Sequence, residues 1–336
     1  MQTTGSKKRA LTEFFSPASP KRARKCPPPS EAKALPPDHP HDSYTTYPIP
    51  VPHLPAYLCN ELLEAPFAAS KRINDQADLD ILYFQPFVPK DVADDLFHFI
   101  RGHLFFYRVQ YKIKRGSIET LINTPRYTTV FGLDDTSQFH TDGSILEAST
   151  SKPISPNKYP TCSPRPIPQC LDELRKITET FTESSYNFCL VNYYANGEDS
   201  ISYHSDDERF LGADPAIASL SLGAKRDFLM KHKPVPPKEN GSALNSLNSA
   251  KPLKLPLASG DLILMRGKTQ ANWLHSIPKR KGGESDQGRV NITFRKAMVK
   301  GGTENYYQYN VGKGAVWRWN VVKREMVPWQ ADVKTG

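Results

Sequence analysis

Between positions 289 and 295 the chain reads Arg-Val-Asn-Ile-Thr-Phe-Arg, an unbroken alternation of polar and apolar residues. Successive side chains of an extended strand point to opposite faces. Arg289, Asn291, Thr293 and Arg295 therefore share one face while Val290, Ile292 and Phe294 share the other. Such a strand has two readings: a half-polar edge with its arginines in solvent, or an internal strand with both arginines buried. In the second case each guanidinium needs an anion, because an unpaired internal charge is costly. A dicarboxylate held end to end satisfies both, and the planar fork of arginine suits a carboxylate at each end.

The segments around this strand read mostly as further strands. Tyr186–Tyr194, Ala216–Leu222, Arg226–Lys231, Asp261–Met265 and Val290–Ala297 are short apolar or alternating segments separated by turn residues. Ahead of them, Asp80–Phe84 predicts a strand and Pro89–Leu104 a helix through Val92, Leu96, Phe99 and Ile100. A basic β-hairpin is expected over Tyr107–Thr120, turning at Gly116-Ser117, and after a Pro/Ser-rich loop over 149–168 a second helix over Cys170–Phe181. Short strands after an α-rich start predict an α+β protein: a β-sandwich or barrel carrying helices on one side. The polar stretch 234–256 is expected to be a flexible surface insertion, and residues 301–336, with Tyr306, Tyr307, Tyr309, Trp317 and Trp319, an ordered aromatic extension.

With 336 residues and 38% hydrophobic content, one catalytic domain with flanking segments is the expectation. The formal charge of +9 favours a polyanionic partner, since each phosphate neutralised by Lys or Arg releases counterions. Five cysteines without a C-x-x-C pair argue against a secreted disulfide framework and for a reducing compartment. No apolar run approaches bilayer length, so a soluble protein, expected to be monomeric, is predicted. Residues 1–45 carry eight Lys or Arg against four Asp or Glu among Pro and Ser, and are read as a disordered tail; residues 46–78 are a lead-in. Within the tail, Leu11, Phe14 and Phe15 form one apolar face of a turn. The segment resembles the PCNA-interacting box, with Lys8 where the box has Gln; the alternative is chance amphipathicity. Lys21-Arg22-Ala23-Arg24-Lys25 reads as a nuclear-localisation or nucleic-acid-contacting cluster, so a nuclear location is expected.

His204-Ser205-Asp206 places two ligand types at i and i+2, on one side of an extended strand, and His275 follows 69 residues after Asp206, behind a predicted strand. Two imidazoles and one carboxylate on one face of an octahedral iron leave three positions open, as non-haem Fe(II) oxygenases require. An isolated H-x-D is common in polar loops, and only the combination with Arg289–Arg295 makes it specific.

Taken together, Asn192-Tyr193-Tyr194, His204-Ser205-Asp206, His275 and Arg289 through Arg295 resemble, in order and spacing, the markers of the AlkB dioxygenases. The resemblance extends over residues 79–300, including Ala218–Ala224 and Arg226-Asp227-Phe228. It implies a double-stranded β-helix (jelly-roll) core with flanking helices and a nucleotide-recognition hairpin. It also implies Fe(II) on His204, Asp206 and His275, and 2-oxoglutarate held by Asn192, Tyr194, Arg289, Asn291, Thr293 and Arg295, with O₂ as the other co-substrate. By the same analogy Arg289 would take the distal carboxylate and Arg295 the one beside the metal. The implied activity is oxidative demethylation of N-alkylated bases such as 1-methyladenine and 3-methylcytosine in DNA, with loss of formaldehyde. Those lesions are cationic, so a carboxylate from Asp207 or Glu208 beside them would favour the damaged base; the alternative is that these acids only orient a basic side chain such as Arg226. Pro125-Arg126 through Gly132 resembles the segment following the recognition hairpin in members acting on duplex DNA. Arg126 is the expected backbone contact, and Phe139 the expected partner of His204 in sandwiching a flipped base. RNA or protein as substrate, or a non-catalytic nucleic-acid reader, are the competing readings.

Overall fold

The computed structural model describes residues 35–65, 69–234, 250–283, 287–299 and 305–330. Two antiparallel sheets face each other. The larger has ten strands, ordered Glu325–Pro328, Val316–Asn320, Phe106–Tyr107, Tyr127–Gly132, Phe188–Tyr194, Arg289–Arg295, Ile217–Gly223, Leu262–Met265, Ile81–Phe84, Lys71–Ile73. The smaller has four, ordered Ile201–His204, Trp273–Ile277, Arg226–His232, Leu253–Leu257. This is the jelly-roll core, with the helices Ala56–Glu64, Lys90–His103 and Gln169–Thr182 packed in the core on the outer face of the large sheet.

Period-two alternation sorts the side chains of the large sheet between two cores. Val191, Tyr193, Leu220, Leu222, Val290, Ile292 and Phe294 pack with Leu96, Phe97 and Ile100 of the helix Lys90–His103. On the other face Phe188, Leu190, Tyr194, Ile217, Ile263 and Met265 meet Phe228, Met230, Leu255, Leu257, Trp273 and Ile277 of the small sheet. The helix itself follows from its sequence. Pro89 precedes it, Asp91 lies in its first turn and Arg101 and His103 in its last, matching the helix dipole. Its buried positions 92, 93, 96, 97, 99 and 100 form one stripe. Helix Gln169–Thr182 likewise follows Pro168 and buries Cys170, Leu171, Leu174 and Thr178.

The basic hairpin is Gln110–Arg115 paired with Ile118–Asn123. Gly116, at φ 63°, supplies the left-handed residue that a two-residue hairpin turn needs. The hairpin stands apart from both sheets, and Tyr111, Ile118 and Leu121 are exposed on it. Where the following strand ends, Gly132 has φ 106°, and a Cβ there would run into the Asn187 carbonyl oxygen.

Three expected boundaries shift. Leu35 and Tyr44, inside the stretch assigned to the tail, pack against the helix-side core, and His41–Asp42 pairs with Val51–Pro52. Apolar residues near the end of the stretch, which its average composition concealed, anchor it. The insertion expected over 234–256 ends earlier, because Leu253–Leu257 pairs with Arg226–Met230. The aromatic extension is part of the large sheet: Trp317 pairs with Phe106 and stacks edge-on against Tyr127 at 5.4 Å. The PCNA-box-like residues Leu11, Phe14 and Phe15 and the basic cluster 21–25 lie outside the described residues. Among the described residues no helix is long and apolar enough to cross a membrane.

Candidate active site

A cavity opens between the two sheets. The large sheet contributes its inward positions on two adjacent strands, paired in register: Tyr194 with Arg289, Asn192 with Asn291, and Leu190 with Thr293. The four polar residues of Arg289–Arg295 all line the cavity, as alternation predicts. The strand is internal, flanked on both sides, which excludes the solvent-edge reading.

The opposite wall carries His204, Asp206 and His275. Their ligand atoms lie within 4.8 Å of one another. His204 Nε2 is 3.9 Å from one Asp206 oxygen and His275 Nε2 3.7 Å from the other. Two details differ from the sequence expectation. Asp206 is not on the strand with His204, which ends at residue 204; it sits in the loop beyond. His275 follows the expected strand, Leu262–Met265, but lies in the middle of a further one, Trp273–Ile277, opposite His204 in the ladder. The cross-strand pairing brings the two rings to 4.2 Å between centroids. His204 Nδ1 donates to the Ser202 carbonyl at 2.9 Å, which leaves Nε2 as the ligating nitrogen. His275 stacks on Phe228 at 5.2 Å, and burial pushes its imidazole down to about 3, keeping it neutral and able to ligate.

Arg295 lies beside this triad, with Nη2 3.1 Å from Asp206 Oδ1 and Nη1 3.8 Å from Glu208 Oε2. Burial alone would raise the Asp206 carboxyl, but Arg295, His275 and His204 together hold it below the usual carboxylate range. Arg289 occupies the other end. It is 1% exposed, its Nη2 donates to Ser221 Oγ at 2.9 Å, and its guanidinium lies 5.5 Å from the Tyr194 ring. Burial pushes it down to about 10.

Four guanidinium atoms, Nε and Nη1 of both Arg289 and Arg295, are buried without a hydrogen-bond partner. Buried donors are nearly always satisfied, so these mark where acceptors bind. Two carboxylates, one at each end, fit the vacant donors, and the neutral-imidazole and carboxylate donor set fits a divalent iron. Asn192 Oδ1 accepts from Thr128 Oγ1 at 2.9 Å and Arg126 Nε at 3.3 Å, leaving its amide nitrogen available to a ligand. Asn291 and Thr293 are held by Ser219 Oγ at 2.8 Å and the Leu190 carbonyl at 3.0 Å.

A model of the 2OG-Fe(II) oxygenase superfamily matches residues 83–295. The chain belongs to that superfamily. Within it, this oxygenase is of the AlkB type. It is 30% identical over 250 residues to the DNA oxidative demethylase ALKBH2 of Arabidopsis thaliana, covering 70% of this chain and 73% of that protein. It is 43% identical over 143 residues to the alpha-ketoglutarate-dependent dioxygenase alkB homolog 3 of Mus musculus (42% of this chain, 48% of that protein). It is 39% identical over 139 residues to the human ALKBH2 (41% and 50%). The chain thus spans about half the length of the mammalian relatives it matches. Membership brings Fe(II) as metal and 2-oxoglutarate and O₂ as co-substrates.

The residues expected at the substrate separate. Glu208 lines the cavity; Asp207 does not, and pairs with Lys233 at 2.8 Å on the outside. Glu208 faces Arg295 rather than Arg226, whose donors go to the Asn196, Asp199 and Pro278 carbonyls. Arg126 turns inward to the cavity, its Nε donating to Asn192 Oδ1 at 3.3 Å, rather than standing out on the surface beside the hairpin. The chain enters the large sheet directly after the hairpin, so this side chain falls on the sheet's inner face. Phe139 is absent from the cavity lining: it packs at the margin of the inter-sheet core on the small hairpin Ser137–Phe139/Ile145–Glu147. Seven lining residues were missed. Leu190 shares the inward face of Asn192 and Tyr194, and Ser219, Phe228 and Met265 lie on strands read correctly, whereas Ile201 and Ile277 lie on strands that the sequence reading did not mark. Tyr306, from beyond the matched region, was read only as part of an ordered aromatic extension, with nothing to place it at the cavity.

Proposed function

We propose that this oxygenase is an oxidative demethylase of N-alkylated bases in DNA, with 1-methyladenine and 3-methylcytosine as the substrate class. In this reading His204, Asp206 and His275 hold Fe(II). Arg289 takes the distal carboxylate of 2-oxoglutarate and Arg295 the proximal one, with Asn192, Tyr194, Asn291 and Thr293 along its length. The observation that carries it is the pair of buried, partly unsatisfied guanidiniums at opposite ends of one cavity, the nearer beside the triad.

When bound, the iron and its co-substrates supply the oxidant for the N-methyl group. The protein supplies placement. Val290, Ile292 and Phe294 lock the strand that carries both arginines into the helix-side core, so the spacing of the two carboxylate positions is fixed before ligand arrives. Phe228 holds the His275 ring face-on, and Ser202 fixes the tautomer of His204. Glu208, on the same wall, offers a carboxylate to a cationic methylated ring and nothing comparable to its neutral parent. The names of the relatives support DNA as substrate, as do the exposed Tyr111, Ile118 and Leu121 on a hairpin that also carries Lys112 and Lys114. Such a hairpin combines charge for phosphates with apolar side chains able to occupy a vacated base position. We further propose a nuclear location and a PCNA contact through Leu11, Phe14 and Phe15, resting on the sequence alone.

The test is formaldehyde release from oligonucleotides carrying 1-methyladenine or 3-methylcytosine, offered in single-stranded DNA, duplex DNA and RNA with Fe(II) and 2-oxoglutarate. The reading expects turnover on DNA that is abolished in His204→Ala. Turnover confined to RNA, or none with any oligonucleotide, overturns it.

A further inference from the structure

Tyr306 is the one cavity-lining side chain supplied from outside residues 83–295, the stretch that carries the superfamily's shared pattern. It sits in a short 3-10 turn, Tyr306–Gln308, that is anchored on three sides. Asn305 caps the turn by accepting from the Tyr307 amide at 3.0 Å. The Tyr307 hydroxyl donates to the Gly132 carbonyl at 3.2 Å and accepts from the Arg165 amide at the same distance. Thr161 Oγ1 donates to the Gln308 carbonyl at 3.3 Å.

The Tyr306 ring is itself clamped by Phe188 at 6.0 Å, Phe210 at 6.3 Å and Tyr309 at 5.7 Å. Phe188 is the ladder partner of Arg295, and Phe210 follows Glu208 by two residues. The ring is therefore held between the two elements that bring Arg295 and Glu208 to the cavity, and the Arg295 guanidinium lies 6.0 Å from its centroid. A tyrosine placed so rigidly against a buried arginine has one polar group to offer the cavity. Burial pushes that phenol up to about 12, against the opposing pull of Arg295, so it stays neutral and can donate.

We propose that Tyr306 is a positioning residue for 2-oxoglutarate, its hydroxyl donating to the carboxylate that Arg295 takes. The inference rests on the assignment of Arg295 to the proximal carboxylate. Arg295 cannot orient that carboxylate alone while part of its charge is shared with Asp206 and Glu208. A neutral donor on the same wall adds direction without adding to the buried charge.

The experiment uses the full chain loaded with Mn(II) in place of iron and measures 2-oxoglutarate binding by calorimetry, alongside steady-state kinetics with iron. Tyr306→Phe keeps the ring, its three aromatic contacts and the face toward Arg295, and removes only the hydroxyl. Its dissociation constant and KM for 2-oxoglutarate should rise roughly ten-fold, as expected for a donor to a charged acceptor, with kcat and the KM for methylated DNA unchanged. Tyr309→Phe, altering an exposed neighbour, should match the parent chain. An unchanged 2-oxoglutarate affinity in Tyr306→Phe overturns the proposal, and so does a loss seen in the DNA KM instead. Failure of the parent chain to bind 2-oxoglutarate at all would overturn the underlying site assignment, a result distinguishable from either.

Discussion

Arg289 is a fully buried cation whose Nε and Nη1 have no hydrogen-bond partner; Ser221 Oγ accepts from its Nη2, and Tyr194 beside it is its other polar neighbour. Replacing it by Met should therefore separate two quantities that usually fall together. Without ligand, an uncompensated buried charge gives way to an apolar side chain. Removing the cation relieves the cost of an unpaired buried charge, while the shorter Met and the stranded Ser221 hydroxyl lose packing and a hydrogen bond, so the net change should lie near zero or above. The melting temperature of the ligand-free variant should be unchanged or higher. With ligand, two charge-assisted hydrogen bonds are lost at about 1.5–3 kcal/mol each, so the affinity for 2-oxoglutarate should weaken by roughly 10²–10⁴-fold. At a concentration one hundred times the parent dissociation constant, 2-oxoglutarate stabilises the parent by about 2.7 kcal/mol, and the variant by under about 0.5 kcal/mol. For a domain of this size that is a thermal shift of roughly 5 °C or more against one of 1–2 °C or less. Thermal unfolding with Mn(II), with and without 2-oxoglutarate, reads both. A ligand-free Arg289→Met that melts several degrees lower would show that the guanidinium is satisfied within the fold. A full-sized ligand shift in the variant would show that the distal carboxylate lies elsewhere.

The triad should behave asymmetrically. Asp206→Ala strands Arg295 without its nearest acid and should destabilise the metal-free protein by about 3 kcal/mol or more, whereas His204→Ala, at a partly exposed position, should cost under about 1 kcal/mol; urea unfolding of metal-free protein distinguishes them, and equal losses would contradict the pairing. On the hairpin, exposed Lys112 and Lys114 changed to Ser should each lower the slope of log affinity for DNA against log salt by about 1 if they meet phosphates, with stability unchanged within about 0.5 kcal/mol; an unaltered slope removes the hairpin from the DNA interface. His103 is pushed down to about 4 by burial, with Arg318 and His39 adding to the effect. Its folded-state value lies below the unfolded one, so the unfolded chain binds more protons between the two, and stability is lost as pH falls from about 6.5 toward 4. Replacing His103 by Gln should flatten that limb of a denaturation profile, and an unchanged limb would assign the loss to other groups.

What the sequence made legible follows from what periodicity encodes. An alternating strand states which residues share a face, and that sufficed for Arg289, Asn291, Thr293 and Arg295; Asn192 and Tyr194 came from the family resemblance and fall on the facing positions of the neighbouring strand. His204 and His275 were joined across a long separation by the ligand set that an iron site needs and by the family resemblance, not by a strand pattern, and the ladder sets them opposite each other. Loops encode no such rule. Asp207 and Glu208 are adjacent and chemically alike, yet only one enters the cavity, because the chain turns directly into the 3-10 segment Arg209–Leu211 and leaves Asp207 outside with Lys233. Arg126 was read as a backbone contact from the resemblance of Pro125–Gly132 to the segment after the recognition hairpin, and the start of the strand at Tyr127 turns it inward. Tyr306 depends on the packing of a distant turn, which no local pattern announces.

The two arginines are chemically equivalent in the sequence and unequal in the fold. Arg295 already shares its charge with Asp206 and Glu208, and Asp206 is held ionised largely by Arg295. The end of the cavity beside the triad is therefore nearly balanced before any ligand arrives, and a cation there competes with Arg295 for the same carboxylate. At the far end Arg289 has hydroxyl and ring partners but no acid within salt-bridge distance among the described residues. The strongest uncompensated field in the pocket thus lies at the end remote from the chemistry. A dianion is drawn there first and oriented by it, while the near carboxylate must meet an arginine that is free only to the extent that Asp206 has turned to a metal. The same seven-residue strand thereby sets both the binding strength at one end and the dependence on metal at the other.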